Sequence, residues 1–150
     1  MQDKAGSTAV GGLAGHCLCG AVTIRAAAAP GWVGVCHCRM CQRWSGGVFA
    51  SFPADGVTVD GPVTRHASSD FAERAFCSVC GSHLWMRNAD AEDGHYELMP
   101  GLFDASAAWP LFSEVYADCA MAAMRLTGAE RRATRAEYEL KNPHVQGEGP

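Results

Sequence analysis

The sequence predicts a mainly β fold of short strands, and three observations predict it. Turn-forming residues recur roughly every 8–15 positions through the middle of the chain. The segments between them alternate apolar and polar side chains or are rich in β-branched and aromatic residues. Only one stretch, Ala129 to Lys141, lacks Gly and Pro and is rich in Ala, Glu and Arg, the composition of a helix.

In chain order, Ala21-Val22-Thr23-Ile24-Arg25 alternates with the two-residue period of a half-buried strand. Trp32 to His37 is β-rich, and Val48-Phe49-Ala50-Ser51-Phe52 reads as a strand that Pro53 stops. Gly56 to Gly61 is a short strand between glycines. Glu73 to Cys77, His83 to Arg87, Tyr96 to Met99 and Leu111 to Ala117 continue the pattern. Trp32, Trp44, Phe49, Phe52, Phe76 and Trp85 recur in these segments and are expected in the core. The terminal helix has a thin apolar face (Ala129, Ala133, Ala136, Leu140), which suits a solvated helix better than a partner-binding one.

A chain of 150 residues can bury a core without disulfide staples. The net charge of −4 argues against a nucleic-acid binder acting through bulk positive charge. No apolar run approaches the roughly 18–20 residues that span a bilayer. Met1 to Gly12 has no apolar segment of signal-peptide type, so a cytoplasmic location is expected, without a membrane partner. Thiols stay reduced there, and eight cysteines read as metal ligands or catalytic groups before disulfides.

Their spacing divides them. Cys77-Ser78-Val79-Cys80-Gly81 has the form of a zinc knuckle, two thiolates on a tight turn with a glycine free to take positive φ. A structural zinc wants four ligands. Cys17-Leu18-Cys19-Gly20 is the natural second half, since residues two apart on an extended strand share a face. Cys36-His37-Cys38-Arg39-Met40-Cys41 offers three local thiols. A catalytic zinc keeps three protein ligands and an open fourth position; the alternative is that Cys119 or a histidine closes the site. His37 lies between two of these cysteines, so its side chain is expected to face away from them. His16 and His83 flank the first pair of clusters; Cys119 reads as a buried free thiol.

Gly15-His16-Cys17-Leu18-Cys19-Gly20-Ala21-Val22, the run from Cys36 to Gly46 and the run from Arg74 to Leu84 together resemble the family of glutathione-dependent formaldehyde-activating (GFA) enzymes, which includes centromere-protein-V-like proteins. The resemblance covers roughly Gly12 to Met124. It implies a complex β fold of the Mss4-like type, short antiparallel strands built around zinc sites. The implied organisation is a flexible leader over 1–11, a zinc-binding GFA-like domain over 12–125, and a C-terminal helix and tail over 126–150. The resemblance also implies a structural zinc on Cys17, Cys19, Cys77 and Cys80, and a second zinc on Cys36, Cys38 and Cys41, where the chemistry is placed. The family's namesake reaction joins glutathione, as co-substrate, to formaldehyde as S-(hydroxymethyl)glutathione. One departure is local: Glu114 stands where the family often carries a histidine.

On this reading the second zinc activates a thiol or polarises an aldehyde. Three thiolates leave Zn²⁺ with a formal charge of −1, which favours thiol activation over Lewis-acid polarisation. Arg39 and Arg43, beside the ligands in sequence, either bind glutathione carboxylates or are solvated. Ser45 reads as a turn residue. The expected function is a zinc-dependent carbon–sulfur lyase acting on a small-molecule thiol and aldehyde. The alternatives are a non-catalytic zinc module that binds protein and a labile zinc or redox buffer.

Overall fold

A computed structural model describes residues 9–90 and 95–146 of the chain. Its strands are β1 (Val10–His16), β2 (Thr23–Ala29), β3 (Val33–Cys36), β4 (Phe49–Ala54), β5 (Thr58–Asp60), β6 (Val63–Ala67), β7 (Ala72–Cys77), β8 (His83–Asn88), β9 (Tyr96–Leu98), β10 (Leu111–Val115) and β11 (Arg131–Ala133). The α-helices are α1 (Arg39–Ser45) and α2 (Arg135–Lys141). The fold is mainly β, as the turn spacing predicts. No helix among the described residues is long and apolar enough to cross a membrane.

The described residues fall into two compact units, one made of those up to residue 32 with those from 52 to 110, the other of residues 33–51 with those from 111 onward. In the second of these units β10 lies beside β3 and carries β11 on its other side.

In the first unit β1, β2 and β5 form an antiparallel sheet in that order. β2 shows why it is a strand: Ile24, Ala26 and Ala29 are buried while Thr23, Arg25 and Ala27 face water. The second half of β4 pairs with β9, followed by β8, β7 and β6, all antiparallel. The core gathers Leu13, Val22, Ile24, Phe52, Leu84, Trp85, Leu98 and Phe103 around the buried Cys17 and Cys77. Phe52 packs edge-on against Phe103 at 5.4 Å and Trp109 at 4.9 Å, the favoured aromatic geometry.

In the second unit β10 is parallel to both β3 and β11, and β3 is antiparallel to the first half of β4. These two parallel pairings depart from the all-antiparallel expectation. The interior is unusually polar: Val35, Cys41, Phe49 and Tyr116 are buried, but so are His37, Gln42 and Glu114. Buried polar groups need partners, and those partners organise the site described below. Of the aromatics expected in the core, Phe49, Phe52 and Trp85 are buried, whereas Trp32, Trp44 and Phe76 keep partial exposure.

Several boundaries shift for physical reasons. β1 starts at Val10, inside the expected leader, because residues 10 and 11 pair with Ala29 and Ala28. Residues 1–8 of that leader, and the frayed end expected at 147–150, lie outside the described residues. β6 escapes sequence reading because its side chains are exposed from Thr64 to Ala67 and leave no alternation. Pro53 does not end β4: pairing with β3 stops at Ser51, so the missing amide at Pro53 breaks no bond there.

The helix expected over Ala129 to Lys141 is shorter. Arg131–Ala133 is strand β11, and Thr134 restarts the chain as a helix cap. Thr134 Oγ1 accepts the Glu137 amide at 3.3 Å and the Glu137 carboxylate accepts the Thr134 amide at 2.8 Å, a capping box. No residue of α2 is buried, in keeping with a solvated helix. Thr134→Ala is expected to lower stability by about 1 kcal/mol, the usual worth of such a cap, readable in urea-unfolding midpoints.

Candidate metal centres

The first cluster lies wholly in the first unit. β1 delivers Cys17 into a turn in which the Cys17 amide donates to Val22 O at 3.0 Å and Gly20 N–H donates to Cys17 O at 3.0 Å. β7 delivers Cys77 into a matching turn, with Cys77 N–H on Ser82 O and Gly81 N–H on Cys77 O, both at 2.9 Å. Gly20 and Gly81 share a φ of 77°, a left-handed conformation that glycine adopts without a Cβ penalty. The positive φ expected after the knuckle is thus present twice. Ser82 Oγ accepts the Leu18 amide at 3.0 Å and lies 3.2 Å from Cys80 Sγ, stitching the two turns together.

These turns bring the sulfurs of Cys17, Cys19, Cys77 and Cys80 all within 4.8 Å of one another. Cys17 and Cys19 Sγ are 3.5 Å apart, and Cys19 and Cys77 Sγ are 3.9 Å apart. A tetrahedron with Zn–S bonds near 2.3 Å has edges of about 3.8 Å. The protonation pattern is that of sulfurs too close to ionise together. The Ser82 hydroxyl and amide pull Cys80 down to about 5. The Ala21 amide favours the Cys19 thiolate, yet burial and the Cys17, Cys80 and Cys77 sulfurs push it up to about 11. A cation that lets all four ionise fits this donor set.

The second cluster lies wholly in the second unit. β3 ends on Cys36. Cys38 caps α1, its Sγ accepting the Cys41 amide at 3.4 Å, and Cys41 is buried one turn into the helix. The Cys38–Cys41 spacing is therefore the first turn of a helix. The three Sγ atoms lie within 4.8 Å of one another. Among the described residues, neither Cys119 nor any histidine or carboxylate joins that group. The alternative in which one of these closes the site is not the arrangement found. Sharing with the Cys38 and Cys41 thiols, then burial, holds the Cys36 thiol well above its usual range.

Around these thiols the buried polar groups find their partners. His37 faces away from the sulfurs, and its Nε2 meets Glu114 Oε1 at 2.9 Å with both side chains about 1% exposed. Arg132 Nε lies 2.8 Å from the other carboxylate oxygen, as an ion pair and not an aligned hydrogen bond. The His37 amide donates to Val115 O at 3.0 Å. Gln42 Nε2 donates to His37 O at 2.7 Å and to Cys119 O at 2.9 Å. Cys119 is thus tied to α1 through its backbone, and it is half-buried, not the buried thiol the sequence suggests; desolvation, and then Asp118, push its thiol up. Ser45 Oγ donates to Cys41 O at 2.8 Å, closing the end of α1.

Arg39 and Arg43 are exposed on α1, and Arg39 donates to Gln42 Oε1. Tyr116, with φ 55°, is the only non-glycine residue at positive φ among those described, and its hydroxyl donates to Glu139 Oε1 at 3.3 Å. Burial, then the Glu139 charge, raises its phenol. Sequence reasoning missed the Glu114–His37 pair, whose partners are 77 positions apart. The available signal was a carboxylate inside the apolar strand Leu111–Val115.

Three comparisons bear on this geometry. The sequence model of a family described as glutathione-dependent formaldehyde-activating enzyme matches residues 12–118. A protein of Schizosaccharomyces pombe named an uncharacterized lyase is 32% identical over 85 residues, which cover 55% of this chain and 62% of that protein. The match therefore spans less than two-thirds of that relative's length. A crystal structure of a Rhodobacter sphaeroides protein superposes with a TM-score of 0.52 at 21% identity, covering 65% of this chain and 98% of the other. That likeness concerns the fold alone.

Proposed function

Since the chain belongs to the glutathione-dependent formaldehyde-activating enzyme family, we propose that it is a zinc-dependent carbon–sulfur lyase that makes or breaks a thiol–aldehyde adduct at the second cysteine cluster. The observation that carries this reading is the convergence of Cys36, Cys38 and Cys41 with no fourth donor in their group among the described residues. Three ligands and one exchangeable position are what a catalytic zinc requires. The first cluster, with four ligands, takes the structural role.

Cys36, Cys38 and Cys41 would hold the zinc, which when bound would favour the thiolate form of an incoming thiol. In the forward direction the thiol sulfur forms a bond to the aldehyde carbon, the carbonyl π bond opens onto oxygen, and the thiol proton ends on that oxygen. Arg39 and Arg43 stand ready to receive substrate carboxylates, which suits glutathione; formaldehyde is the aldehyde the family's description implies. Gln42 fixes α1 against the Cys119 backbone, and so holds Cys41 in place. Clustered cysteines used as metal ligands suit a compartment where thiols stay reduced, and the cytoplasm is the proposed location.

A second reading, a protein-binding zinc module, is favoured by one observation: Leu18 and Val79, at the tips of the two knuckle turns, are 85% and 66% exposed. Counting zinc per chain and titrating with glutathione separates the two. Two zinc ions, one of them perturbed by the thiol, are expected. Exchange NMR on glutathione and formaldehyde should then show interconversion faster than in the protein-free mixture. A single zinc indifferent to thiols would sink the enzyme reading.

A further inference from the structure

We propose that Glu114 and His37 form a positioning pair for the second cluster, Glu114 acting through the His37 imidazole to hold the Cys36 and Cys38 sulfurs at metal-binding spacing. The inference deepens the proposed function, because it takes the second cluster as a metal site. His37 is the one residue between Cys36 and Cys38, so any rotation of its backbone moves both sulfurs. It is pinned at three points: its amide on Val115 O, its carbonyl under Gln42 Nε2, and its ring on Glu114 Oε1. The first two fix the peptide planes, and the third fixes which way the side chain leaves the strand.

Glu114 is itself held in place. It lies on β10 with β3 on one side and β11 on the other, paired in register with Val35 and with Arg132. Its carboxylate is buried with one oxygen toward His37 and the other toward the Arg132 guanidinium. Burying a carboxylate and an imidazole where apolar side chains would pack is unfavourable for stability alone. Directional bonding is what the pair supplies that a leucine and a phenylalanine would not. Partners that orient a metal's ligands commonly change its affinity by about 10–100-fold; here the orientation acts through the His37 backbone that joins Cys36 to Cys38.

The test uses cobalt(II) as the probe metal in the full chain, reading thiolate-to-metal absorption and the rate of metal transfer to a chromophoric chelator. The double variant Glu114→Leu with His37→Phe replaces both partners by apolar groups of similar volume, so neither is left buried and unpaired, and Arg132, 56% exposed, keeps its water. It is expected to lose metal from the second cluster at least tenfold faster, with the first cluster unchanged. Glu114→Gln, whose amide oxygen still accepts from the ring, is expected to stay within about threefold of wild type. Metal retention by the double variant equal to wild type would overturn the proposal, as would parallel weakening of both clusters, or a Glu114→Gln loss as large as that of the double variant. Wild-type protein binding only one cobalt would instead refute the metal-site reading beneath it.

Discussion

Serine in place of Cys77 is expected to leave the first unit unfolded at ordinary temperature. Cys77 is fully buried in the core and is one of four sulfurs joining two turns that lie some 60 positions apart in sequence. Structural zinc contributes on the order of 10–16 kcal/mol of apparent binding free energy, as large as the roughly 5–15 kcal/mol by which whole domains are stable. Removing a ligand therefore removes enough to tip the balance, and a buried hydroxyl replaces a thiol that packs as a small hydrophobe. Far-UV circular dichroism and zinc content should report it together. A variant with wild-type melting and undiminished zinc would mean that Cys77 only fills space.

Cys41→Ser should do the opposite. The fold and the first metal survive, the second metal is lost, and zinc per chain falls from two to one. Cys41 is buried, but it lies in a seven-residue helix whose cap, Cys38, remains. The stability cost should be about 1–2 kcal/mol for the altered buried group. Catalysed exchange between glutathione and formaldehyde should drop to the rate of the protein-free mixture. If Cys41→Ser and Cys77→Ser unfold the chain equally, the division between a structural and a working cluster is wrong.

The cysteine groupings were readable in the sequence because metal chelation at a knuckle is local, and ligands two or three residues apart must share a turn. Cys17 with Cys19 and Cys77 with Cys80 could be matched across the chain only by counting ligands. Strands with one buried face, such as Thr23–Ala29, announced themselves by alternation. Val63–Ala67 did not, being exposed along most of its length. The helix at Arg39–Ser45 was hidden because its capping residue is a cysteine, where serine or aspartate would have signalled a start. Glu114 stood out as a carboxylate in an apolar strand, but its partner His37 and the parallel pairing of β10 were beyond reach, since both depend on register between strands far apart in sequence.

That difference in sequence separation sets an order of assembly during synthesis. A nascent chain carries all three thiols of the second cluster once residue 41 has emerged, whereas the first cluster is incomplete until residue 80. Closing the longer loop also carries the greater entropic penalty. Yet the strand that braces the early cluster, and the arginine paired with its glutamate, arrive only at residues 111–115 and 132. The ribosome thus presents a loose chelating segment first, the architectural clasp second and the brace last. On the proposed reading, a metal that reached the three-thiol cluster early would meet it before its brace exists, whereas the four-thiol clasp has all its sulfurs by residue 80.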